Sequence, residues 1–100
     1  MEKDIRIMYA EFNAEANRHF FSIFNEFSNA ANSIERDGYE NLFQLTRAKY
    51  STQLKHKLEK SADTMINKCE LAETIGRLRI NFTEAINYYL KEFTRKSVLL

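Results

Sequence analysis

The chain has 100 residues, with 15 Lys and Arg against 14 Asp and Glu, two Gly, one Cys and neither Pro nor Trp. That length suits one domain; 44% hydrophobic residues are too many for a disordered segment, 29% charge is too much for a membrane protein, and no run approaches the roughly 18 to 20 apolar residues of a spanning helix. The lone Cys69 can form no internal disulfide, and the charged start Met1-Glu2-Lys3-Asp4 leads into no apolar leader, so the expected compartment is the cytoplasm.

With no Pro and Gly only at 38 and 76, few positions force the chain out of a helix. The strongest break is Asp37-Gly38, where Gly can take the left-handed conformation that ends helices and Arg36 suits the negative end of a helix dipole. A first helix is therefore expected over about residues 4–36. At about 100° per residue its stripe holds Ile5, Met8, Phe12, Ala16, His19, Phe20, Ile23, Phe24, Phe27, Ala30 and Ile34, with Glu11, Asn17, Arg18, Asn25, Asn29, Asn32 and Arg36 on the other side. Ile7 and Phe21 escape the stripe. Strict alternation would require apolar residues where Asn, Glu and Arg stand, so no strand fits.

Beyond Gly38 a second stripe runs Phe43, Tyr50, Leu54, Leu58, Ala62, Met65, Cys69 and Ala72. A third, Ile75, Leu78, Phe82, Ala85, Ile86, Tyr89, Leu90 and Phe93, is rotated from it by roughly 100° on an ideal helix. One long supercoiled helix could absorb that phase change, but Arg79 interrupts the seven-residue repeat and Lys68 and Ser61 weaken its companion row, which favours a break. The expected elements are helices over about 40–70 and 74–96. The fold class is all-α: an elongated antiparallel bundle of two to three long helices, with wide apolar stripes that dimerisation could help to cover.

Chemistry has few footholds. Glu11, Glu15 and His19 stand at i, i+4 and i+8, yet the spacing is not the Glu-x-x-His pair of di-iron bundles and has no second copy; an i, i+4 ion pair beside the core accounts for Glu15 and His19. Glu59, Asp63, Glu70 and Glu73 lie among Lys55 and Lys60 and read as a solvated mixed-charge face. Cys69, set between Met65 and Ala72, reads as a small hydrophobe. There is no Gly-rich phosphate loop, nucleophile elbow or paired Cys. Neither an enzyme nor a cofactor is expected.

Charge distribution says more than net charge. Residues 1–50 carry eight acids and six bases, and residues 51–100 six acids and nine bases. Lys49, Gln53, His56 and Lys60, with Lys57 beside them, form a basic stripe on the second helix, which suits an acidic protein partner or, alternatively, weak contact with nucleic-acid phosphates. Five Phe fall between positions 12 and 27, and Tyr9 and Phe21 are the aromatics of that helix best placed to touch another protein. The sequence thus reads as a non-catalytic helical interaction module, an adaptor, chaperone or small inhibitor masking a macromolecular partner. It is expected to form a homodimer and to have no membrane association, with Tyr9, Phe21, Lys49, His56, Lys57 and Lys60 as partner-binding residues. The alternative is a nucleic-acid binder using the basic face of the second helix.

Overall fold

Asp4 starts the first helix: its extended backbone and its carboxylate, which accepts from the Arg6 N–H at 2.7 Å, satisfy one of the donors that every helix N-terminus leaves open. In the computed structural model, which describes residues 4–34 and 39–98, three helices follow: α1 (Ile5–Asn32), α2 (Tyr39–Ile66) and α3 (Ala72–Ser97). The described residues contain no strand.

The expected boundaries shift at both connections. α1 stops at Asn32 rather than running to Arg36. The Ser33 hydroxyl turns back to donate to the Asn29 carbonyl, and the Ser33 and Ile34 N–H groups reach only three residues back, to Ala30 and Ala31. Asn25, Asn29 and Asn32 give this end low helix propensity. The Asp37-Gly38 break lies outside the described residues. α2 ends at Ile66, with three-residue bonds from Lys68 N–H to Met65 and from Cys69 N–H to Ile66, so Cys69 belongs to a turn and not to the α2 stripe. Ala72 opens α3 and is exposed. A turn in this place resolves the phase difference between the second and third stripes, because each helix can aim its own apolar side at the core.

Contacts fix the topology. Met8 meets Cys69, Glu15 and His19 meet Ser61, and Phe27 meets Tyr50 and Phe43, so α2 runs antiparallel to α1. Phe12 stacks on Phe82 at 4.4 Å, Phe20 meets Tyr89, and Phe24 meets Phe93, so α3 runs parallel to α1. The up-down-up bundle measures 57 × 18 × 17 Å, with a radius of gyration of 16.1 Å against about 13 Å for a typical 100-residue domain.

The core is one continuous cluster. α1 supplies Met8, Phe12, Ala16, Phe20, Ile23, Phe27 and Ala31; α2 supplies Leu54, Leu58, Ala62 and Ile66; α3 supplies Leu78, Phe82, Ala85, Ile86, Tyr89 and Phe93. Full burial of a side chain such as Phe or Leu contributes about 1.5–3 kcal/mol. Fully buried Phe12 and Phe27 of α1, Leu54 and Leu58 of α2, and Leu78, Phe82 and Phe93 of α3 therefore hold all three helices to the same core.

Candidate functional site

The structure divides the six expected partner-binding residues between two faces. Lys49, His56, Lys57 and Lys60 are all exposed and follow one side of α2. Tyr9 and Phe21 lie on α1, in the part of that helix that packs against α3.

On α2, the basic stripe is continuous with two exposed leucines. Leu42 and Leu45 precede Lys49 by seven and four residues, on the same helical side, and Leu45 is 67% exposed. Tyr50 is turned inward against Phe27, with the Lys49 ammonium 5.5 Å above its ring. Acids abut the stripe. Lys55 pairs with Glu59 at 3.9 Å, and a groove of about 310 Å³ between α1 and α2 is lined by Glu15, His19, Lys57, Lys60, Ser61 and Thr64.

At the floor of that groove the buried Ser61 hydroxyl donates to Glu15 Oε1 at 3.0 Å, and His19 Nε2 lies 3.2 Å from Ser61 Oγ and 3.7 Å from Glu15 Oε1. The i, i+4 proximity of Glu15 and His19 is present, and Ser61 ties it to α2. A nucleophilic serine needs its proton directed at the histidine, with the carboxylate on the far ring nitrogen. Here the carboxylate takes the serine proton and shares the near nitrogen. The trio is a polar strut between helices. Among the described residues, no group of three or more His, Cys, Asp or Glu side chains converges as a metal site would require.

On the α1–α3 face, aromatic rings connect residues far apart in sequence. Phe21, 57% exposed, meets Phe20 edge-on at 5.8 Å; Phe20 meets Tyr89 at 6.1 Å; Tyr89 meets Tyr88 at 5.6 Å. The Lys96 ammonium lies 5.3 Å from the Phe20 ring and 5.8 Å from the Phe21 ring, close enough for cation–π attraction. Tyr89 donates to the Asn13 side-chain oxygen at 3.1 Å, and burial pushes its phenol above the usual range. Tyr9, partly exposed, adds to that rise. Arg95 grips Glu92 through Nη2 at 2.7 Å and holds that carboxyl below its ordinary value.

Tyr88 and Lys96 were missing from the sequence reading. Tyr88 had one available signal: it lies about 100° from Tyr89 on the side away from Leu90, off the third stripe. The position of Lys96 over two rings of α1 depends on the parallel packing of α3, which no local pattern encodes.

No protein-family model, curated protein or solved structure matches the chain. Among the described residues, no helix is long and apolar enough to cross a membrane.

Proposed function

We propose that this chain is a non-catalytic, self-associating interaction module of the cytoplasm that masks a surface of another protein, acting as an adaptor, chaperone or small inhibitor. The observation that carries this reading is the α2 face, where exposed Leu42 and Leu45 continue directly into Lys49, His56, Lys57 and Lys60. Such a mixture suits a partner surface that is apolar at one end and acidic along the rest, because apolar anchors supply affinity and charges supply orientation and encounter rate. Nucleic acid fits less well. Its single-stranded forms want exposed rings for stacking, whereas Tyr50 is packed inward, and its phosphates want unopposed cations, whereas Glu15 and Glu59 border the stripe.

The test is affinity capture from the host with the natural chain and with a Lys49→Glu, Lys57→Glu, Lys60→Glu variant. The expected result is a protein retained in near-equal amount with the natural chain and lost with the variant; identical captures would sink the proposal. A nucleic-acid mobility shift at low salt that disappears in the variant would instead assign the face to nucleic acid.

A further inference from the structure

We propose that the outer side of α1 is a self-association seam on which a second copy of this chain docks antiparallel. The inference deepens the self-association part of the reading above and rests on it, and it does not involve the α2 face. Ile7, Ala10, Ala14, Asn17 and Phe21 succeed one another at steps of three, four, three and four, the spacing with which a helix offers a continuous stripe to another helix. All five are exposed, and the two large apolar side chains, Ile7 at 54% and Phe21 at 57%, stand at its ends. This stripe is distinct from the core side of α1, where Phe12, Ala16 and Ile23 are buried.

Two observations select a second copy, laid antiparallel, as the occupant. The first is shape. With a two-fold axis near Ala14, Phe21 of each copy falls beside Ile7 of the other, while Ala10 and Ala14 let the helices approach between them. The second is charge. Glu11 and Arg18 are seven residues apart, hence on the same flank of the stripe, and lie on either side of Ala14. In an antiparallel pair identical flanks face one another, so Glu11 of each copy meets Arg18 of the other, twice by symmetry. A parallel pair would set that flank against the one carrying Asn13. Arg18 forms no ion pair among the described residues.

The stripe is about 21 Å long at about 1.5 Å per residue. One such helix contact is modest against the roughly 800 Å² per partner of a standard interface, so the dimer should form and dissociate with concentration. Light scattering over a concentration series should show the mass rising from 11.9 kDa toward twice that value. Phe21→Glu and Ala14→Glu should each remain monomeric throughout, with unchanged helical circular dichroism, since both positions are exposed. Glu11→Arg or Arg18→Glu alone should weaken the dimer by about tenfold, and the double exchange should restore it. A monomer at the highest soluble concentration overturns the proposal, as does a dimer indifferent to Phe21→Glu. Failure of the double exchange to rescue overturns the antiparallel pairing. Capture through α2 reads out separately: lost capture with the dimer intact counts against the partner-masking reading alone.

Discussion

The two ends of α2 are held in different ways. From Leu54 onward the helix buries Leu54, Leu58, Ser61, Ala62 and Ile66, whereas between Tyr39 and Gln53 no residue is buried; Phe43 and Tyr50, partly buried, pack against the core and each meets the Phe27 ring. The α1–α3 contact, by contrast, is aromatic along most of its length. A helix thus need not be uniformly stable to be fully formed. Its N-terminal half has partly buried ring contacts and leaves Leu42, Leu45 and Lys49 to solvent, so the proposed partner-binding face begins on the less buried half and continues along the more buried one.

The sharpest way to break this contrast is Phe27→Ala, because Phe27 packs at once against Phe93 of α3 and against Phe43 and Tyr50 of the less buried half of α2. Chemical denaturation should show a loss of about 3–5 kcal/mol, as for other buried Phe. Phe43→Ala, at a half-buried site, should cost about 1–2 kcal/mol by the smaller apolar area lost. Its more telling effect should be regional: amide exchange should accelerate over residues 39–50 and stay unchanged over 78–93. Ser61→Ala removes the strut in the buried half of α2 and should cost about 1 kcal/mol. Gly76→Ala, at an exposed position of α3, should act in the opposite sense, since a Cβ there meets nothing within 4 Å; a gain of about 0.4–1 kcal/mol is expected, read as a raised melting temperature.

The smallest effect concerns pH. Arg6 hydrogen-bonded to Asp4, and Arg95 hydrogen-bonded to Glu92, hold these carboxyls below their ordinary values of 3.8 and 4.5 in the folded state. A depressed folded value means stability that is present above those ordinary values and is lost as pH falls through the folded ones. Asp4→Asn with Glu92→Gln should therefore flatten the acid limb of a stability–pH curve below about pH 4.5, and leave its neutral region parallel to that of the natural chain.

Much of this was legible in the sequence, and the exceptions have physical causes. Three- and four-residue spacing found most of the core of α1 and α3, because an apolar stripe on a helix has few ways to be buried. The same spacing placed Cys69 in α2, where the pattern continued after the backbone had turned, and it chose Ala30 where Ala31 is the more deeply buried. Exposure of Phe21, Lys49, His56, Lys57 and Lys60 could be read from helical phase alone. The meeting of Ser61 with Glu15 and His19, and of Lys96 with Phe20 and Phe21, could not, since each depends on the register between helices distant in the chain. Ile7 and Phe21, read singly, were ordinary exposed side chains; their relation emerged only once the rest of α1 was assigned to the core.

The parallel course of α1 and α3 also has an electrical consequence. Peptide dipoles add along each helix, and α2 can cancel only one of its two neighbours, so the equivalent of one helix dipole remains along an axis 57 Å long. Glu73 in the first turn of α3 and Arg95 and Lys96 in its last turn offset part of that polarity. A single copy is thus an electrically polar rod. Two copies side by side repel when aligned and attract when reversed, a preference that adding salt should weaken and that acts before any side chains of the two copies have touched.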